Sequence, residues 1–259
     1  KKSSASWTNA WSDSPVNCES DDIRRHANDT DATDFRRFSF FTHYSSLTAH
    51  YSKLIMTEFR LVKATPEDAP QVALIMAEAL GDDIMERCLA NGNEIPTADR
   101  RRMELLRQVA LHDDTLYSYR HCTLVQTADG QTAGGLIAYP GDDYLHRRRI
   151  TFSMVSELIR FDVDKMDPET QPHEFYLDSM AVWPQFRRQG IARMLMRHGI
   201  QDGLGMHRTV TLACAPDNDS AHRLYTSLGF RNNGSLFIFG EDYIRMELSS
   251  SPSQMTTRI

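Results

Sequence analysis

The sequence is short of several things, and each shortage narrows what the chain can be. Among 259 residues there are only 4 cysteines, Cys18, Cys88, Cys122 and Cys214, with no C-x-x-C pair and no short metal-ligand spacing. A disulfide framework and a zinc module are therefore disfavoured, no metal is expected, and a reducing compartment fits best. No apolar run approaches the roughly 20 residues of a membrane-spanning helix, and the N-terminus lacks the apolar stretch of a secretion signal. A cytoplasmic protein with no membrane partner is the expectation. No Gly-Lys-Ser/Thr follows a glycine-rich loop, so a Walker phosphate site is absent. There is no basic patch, aromatic platform or finger motif, and the formal charge is −6; nucleic-acid binding has no support. No internal repeat is visible.

What is present divides unevenly. In residues 1–55, Ser and Thr take 15 positions, 7 basic residues balance 7 acidic ones, large aliphatic residues are few, and no period of 2 or 3.6 persists. Such a segment is expected to be disordered, and because Met56 begins like a native start it reads as an upstream or expression-derived extension. Its aromatic cluster, Phe35, Phe38, Phe40, Phe41 and Tyr44, reads equally as a short docking segment or as incidental apolar content. The net charge belongs to the remainder of the chain, in which residues 56–248 show a regular pattern and 249–259 are a polar tail. With 41% apolar residues overall, the middle segment has enough for one core.

From Phe59 to Ala64 a strand is expected, followed by a helix capped by Thr65 with Pro66 at its first position and Val72, Ile75, Met76 and Ala79 inward. Residues 97–112 read as a second helix with Met103, Leu106, Val109 and Ala110 buried. His121 to Thr127 and Thr132 to Tyr139 read as strands of a hairpin with Asp129-Gly130 at the turn. A helix over 142–160 and a polar connection over 161–173 lead to the apolar strand Phe175 to Trp183, which Pro184 stops. Arg187-Arg188-Gln189-Gly190-Ile191-Ala192 then forms a turn into a helix with Leu195, Met196 and Gly199 on its buried face. Thr209 to Ala213 is a strand, 218–228 a helix ended by Gly229, and 235–240 and 243–248 close with two short strands. The order is that of an α/β (α+β) domain with a mixed central sheet flanked by helices.

A strand that passes through a small-residue turn into a helix leaves backbone N–H groups unpaired beside the positive end of the helix dipole, an arrangement that suits a phosphate. Arg187, Arg188 and Arg193 would add guanidinium contacts to the same anion. Alone, the turn is also compatible with an ordinary strand-to-helix connection. A second pattern follows 28 residues after Gly190: Asn218, Ala221, Tyr225, Gly229 and Phe230, spaced as Asn-x-x-Ala-x-x-x-Tyr-x-x-x-Gly-Phe.

Together, the Met180-Ala181-Val182 strand, the Arg-x-x-Gly-x-Ala turn and the Asn-to-Phe pattern resemble the GNAT N-acetyltransferase superfamily over about residues 57–248. Arg188 stands where that family commonly has glycine. The resemblance implies a single domain whose fourth and fifth strands, here Phe175 to Trp183 and Thr209 to Ala213, splay apart around the pantetheine arm of acetyl-CoA. It implies that the main chain of Met180, Ala181 and Val182 pairs with pantetheine, with the Met180 N–H at the developing oxyanion. The diphosphate would lie on Arg187, Arg188, Gln189, Gly190, Ile191, Ala192 and Arg193, and Asn218 would bond the cofactor or the adjoining loop. Tyr225 takes the position of the family's general acid. Asp178 is the candidate general base, because an amine with a pKa near ~10 must lose a proton before it attacks. The alternative reading of Asp178 is a carboxylate that only hydrogen-bonds a neighbouring loop; His173 and Glu174 are weaker substitutes, and Cys214 reads as a core thiol.

The acidic residues Asp82, Asp83, Glu86, Asp142 and Asp143 would steer a cationic acceptor, a small molecule or a peptide amine, toward a monomer or homodimer. The expected activity is direct acetyl transfer to a primary amine in a ternary complex. The alternative is a CoA-binding sensor without turnover, and a third reading makes the N-terminal arm the basis of an interaction protein.

Overall fold

The computed structural model describes residues 58–79, 81, 83–156, 158 and 162–248. The readings placed on residues 1–55, on the tail 249–259 and on Asp82 lie outside the described residues. The described chain builds one seven-stranded mixed sheet, in the order β1-β2-β3-β4-β5-β7-β6. The strands are β1 (Arg60–Lys63), β2 (Cys122–Gln126), β3 (Thr132–Pro140), β4 (Glu174–Val182), β5 (Thr209–Cys214), β6 (Phe230–Ile238) and β7 (Glu241–Leu248). The helices are α1 (Ala69–Ala79), α2 (Ile84–Ala90), α3 (Arg100–Leu111), α4 (Tyr144–Met154), α5 (Ile191–Gly205) and α6 (Asp219–Ser227). Neighbouring strands run antiparallel except β4 and β5, which run parallel.

Each face of the sheet is covered because the sequence supplies an apolar stripe for it. On one side Val72, Ile75 and Met76 of α1 pack with Met103, Leu106 and Val109 of α3 over β2 and β3. On the other, Ile191, Leu195 and Met196 of α5 pack with Val182, Leu177 and Leu212. Each side chain so buried contributes roughly 1.5–3 kcal/mol. Thr65 caps the entry to α1 by a reciprocal bond, its N–H donating to Asp68 Oδ2 at 2.9 Å. Gly130, at φ 85°, turns the β2–β3 hairpin where a side chain would be strained.

Three elements differ from the sequence reading. Ile84–Ala90 is helical although its seven residues carry too little period to show it. The helix expected over 142–160 runs only from Tyr144 to Met154 and closes on Val155, whose N–H bonds Thr151 O at 3.2 Å. The last two strands are longer than expected, because β6 begins at once after Gly229 and its exposed Arg231–Ser235 stretch shows no apolar alternation.

Helix α5 lies close to the sheet through its glycines. A Cβ on Gly203 would come 2.7 Å from Val210 Cγ2 and 3.0 Å from Phe175 Cβ, whereas one on Gly205 would meet nothing within 4 Å. Gly203→Val is therefore expected to lower the unfolding free energy by about 1–3 kcal/mol, while Gly205→Ala leaves it unchanged or raises it by up to about 1 kcal/mol. Urea unfolding of the two variants checks this.

Candidate active site

The parallel pair β4 and β5 is joined only at its beginning: Glu174, Phe175 and Tyr176 face Thr209, Val210 and Thr211. Beyond Tyr176 the two strands separate, while on its opposite edge β5 pairs with β7 through Thr211 to Cys214. The joined end is held by buried Glu174, which takes hydrogen bonds from Thr170 Oγ1 at 3.1 Å, the Gln171 N–H at 3.0 Å and Thr211 Oγ1 at 3.3 Å, and which pairs with Arg245 of β7. Glu174 is thus engaged in structure, and His173 is exposed.

Asp178, Ser179 and Met180 of β4, Cys214 of β5, and Asn218, Ala221 and Tyr225 of the following turn and α6 line the cavity between the separated strands. The β3–β4 register shows how Asp178 reaches it. Ile137 faces Ser179 and Ala138 faces Leu177, so Asp178 is an extra residue, a bulge that re-aims its side chain. Tyr176, Ser179 and Met180 line the cavity with Asp178.

The carboxyl of Asp178 accepts from Tyr139 OH at 2.5 Å and Ser179 Oγ at 2.7 Å. Burial nevertheless outweighs these bonds and raises its pKa from the ordinary carboxylate range. A second carboxylate lies on the same cavity. Glu169, buried in the segment read from sequence as a polar connection, accepts from Tyr176 OH at 2.9 Å and Tyr144 OH at 3.2 Å. Burial and the charge of Asp178 push its pKa up further than that of Asp178. Its one sequence signal was an acidic residue five positions before the central strand, with no periodicity to mark it as buried. Tyr225 packs its ring on Phe230 at 6.2 Å, and burial with the neighbouring Cys214 keeps its phenol protonated. Asn218 caps α6, accepting the Ala221 N–H at 3.0 Å.

The turn into α5 follows from its sequence. Pro184 stops β4, Arg188 and Gly190 both take positive φ (64° and 82°), and α5 starts at Ile191. The first-turn N–H groups of Ile191, Ala192 and Arg193 have no intrahelical acceptors by helix geometry, and Gly190 is open, since nothing lies within 4 Å of where its Cβ would be. Gln189 is exposed. Arg187 and Arg193 are engaged by other groups of the protein. Arg193 donates to Ser227 Oγ at 2.9 Å. Arg187 points back to the protein, donating to Val182 O at 3.2 Å and pairing with Glu78 at 3.1 Å and Glu86 at 2.5 Å. It ties the turn to α1 and α2.

The sequence model of the Acetyltransferase (GNAT) family matches residues 93–230, more than half of the chain. The chain belongs to the GNAT acetyltransferase family. Acetyl-CoA-dependent acetyl transfer follows from that membership. Solved structures share the fold: a crystal structure of an acetyltransferase at 24% identity and TM-score 0.57 spans 73% of this chain and 97% of its own. An N-acetyltransferase from Staphylococcus aureus Mu50, at 20% identity and TM-score 0.56, spans 73% and 99%. No curated protein matches the chain in sequence. The residues present fit acetyl-CoA: a half-open parallel strand pair leaves a strand edge beside a cavity, and an open turn with free helix amides follows directly. Among the described residues no helix is long and apolar enough to cross a membrane, and no cluster of His, Cys, Asp and Glu is placed to hold a metal.

Burial and the nearby Glu86 raise Glu78 to about 7, and Arg187 opposes that rise. In the Arg187→Met variant Glu78 must stay protonated or be buried unpaired. The loss of stability is thus smaller at pH 5.5, where Glu78 is protonated with or without the arginine and only the Glu86 and Val182 contacts are lost, and grows as pH rises through about 7 to about 3 kcal/mol at pH 8.5. Denaturant unfolding at the two pH values measures the difference.

Proposed function

We propose that this GNAT acetyltransferase is an N-acetyltransferase that moves an acetyl group directly from acetyl-CoA to a primary amine, of a small molecule or a peptide, with both bound at once. The observation that supports this most is the cavity at the point where β4 leaves β5, lined by Asp178, Met180, Asn218 and Tyr225. Bound acetyl-CoA supplies the activated acetyl thioester. Its pantetheine arm suits the open edge of β4 at Met180, Ala181 and Val182, and its diphosphate suits the amides of Gln189 to Arg193 with Arg188 beside them. Arg187 has the different task of fixing this turn to Glu78 and Glu86.

Asp178 acts as the base. Its raised pKa brings the carboxylate closer in basicity to the ammonium it must deprotonate, and the Tyr139 and Ser179 hydroxyls hold its oxygens in place. The Met180 N–H would serve the carbonyl oxygen at the open strand edge. Tyr225, protonated throughout the neutral range, donates its proton to the departing sulfur. The presence of both an acid and a base on one cavity favours turnover over a CoA-binding sensor. Three buried free thiols, Cys88, Cys122 and Cys214, fit a reducing compartment.

Release of CoA thiol with a panel of primary amines tests the reading. Asp178→Asn and Tyr225→Phe are each expected to lower kcat by about 100-fold or more with the acetyl-CoA affinity preserved. In the wild type kcat/KM should fall as pH drops through about 6, where Asp178 takes up its proton. Unaltered turnover in Tyr225→Phe would remove the acid role.

A further inference from the structure

Glu169 has no part in the reaction as described so far, yet it is one of two carboxylates on the same cavity. The segment that carries it is fastened on both sides. The Asp167 N–H donates to Phe237 O at 2.9 Å and the Phe237 N–H donates to Asp167 Oδ2 at 2.8 Å, binding the segment to edge strand β6. Two residues later Glu169 is 6% exposed. Its oxygens are held by Tyr144 of α4 and Tyr176 of β4, as those of Asp178 are held by Tyr139 of β3 and by Ser179. The rings of Tyr139 and Tyr176 are 6.0 Å apart, which joins the two carboxylate nests side by side.

The charge balance around Glu169 is one-sided. Facing it are Asp178 and Tyr176 from β4, Tyr139 from β3, Tyr144 and Arg148 from α4, and Tyr117 from the loop before β2, with Tyr225 and Tyr243 on the far wall of the cavity. Arg148 is the only cation in this set, and its guanidinium is already engaged by Val163 O and by Met166 O at 3.2 Å. Two buried carboxylates without a cation of their own cannot both be ionised at little cost. A protein that only needed a base would not require the second.

We propose that Glu169 and Asp178 together form a two-carboxylate seat for the acceptor amine in its ammonium form, with Glu169 as the positioning residue that holds a proton while the seat is empty. This rests on the acyl-transfer reading above. When the ammonium enters, its charge replaces that proton, which is released to bulk water, and Glu169 ionises. Asp178 then takes one N–H proton from the ammonium, R–NH3+ and carboxylate becoming R–NH2 and carboxylic acid, while ionised Glu169 keeps the amine over the reacting carbonyl. The seat selects a primary amine carried on a cation small enough to pass the tyrosines, and it disfavours neutral nucleophiles such as alcohols.

The side-chain carboxyl carbons of isotopically labelled wild-type protein, titrated by NMR, read the pair without catalysis. The expected result is two linked steps, the upper one near pH 8 belonging to Glu169 and moving down in Asp178→Asn. Ethylammonium chloride should lower the Glu169 step, and ethanol should not. In kinetics, Glu169→Gln should raise KM for ethylamine about tenfold at pH 8.5, a change worth one pKa unit, and change it little at pH 6.5, with kcat retained. Titration of both carboxyls below pH 5, no response to ethylammonium, or a KM effect equal at both pH values would overturn the seat. Absence of transfer to any amine, with the ethylammonium response intact, would count against the acyl-transfer reading alone.

Discussion

Everything at this site depends on two parallel strands being paired for three residues and then allowed to part. A parallel pair left to itself would continue its ladder, since unpaired main-chain groups beside a core are costly. Here the ladder stops after Tyr176. β5 keeps its other edge paired to β7 through Thr211 to Cys214, and the joined end is clamped by Glu174 with Arg245, Thr170 and Thr211. The edge of β4 that is freed runs from the bulge at Asp178 to Val182, and the chain then passes through Pro184 to the open turn at Gly190. One topological decision thus supplies an open strand edge, a cavity and a helix start, the three features on which the proposed acetyl-CoA site rests.

The chemistry inside that opening is costly to the fold. Asp178, Glu169 and Glu78 all have raised pKa values because burial disfavours their charge. Hydroxyls of Tyr139, Tyr144, Tyr176 and Ser179 offset part of this for the first two, and Arg187 does so for Glu78. Such groups lower stability as pH rises through their shifted values, because the unfolded chain ionises them freely. Retention of Asp178 and Glu169 beside the cavity fits the proposal that the missing positive charge arrives with the acceptor.

Much of this was legible in the sequence where a local rule and a motif agreed. The Asp129-Gly130 hairpin, the Thr65 cap, the apolar stripe of α1 and the strand stopped by Pro184 each follow from short-range chemistry. The cavity was legible through the family resemblance: Asp178 and Met180 on one strand, and Asn218 before and Tyr225 within the helix after the next strand, all line it. What could not be read depends on contacts far apart in sequence. Arg187 looked like a phosphate ligand because its partners Glu78 and Glu86 lie about a hundred residues upstream. Glu169 looked like a solvated loop residue because Tyr144, Tyr176 and the β6 clamp bury it. The bulge at Asp178 has no glycine or proline to announce it.

Amide hydrogen exchange with and without CoA tests the central claim most directly. The account expects slowed exchange at the amides of Ser179 to Val182 on β4 and of Gln189 to Arg193 at the start of α5, with the paired Glu174 to Tyr176 end unchanged. Binding of CoA that leaves both stretches exchanging as before, or that protects some other surface, would contradict it.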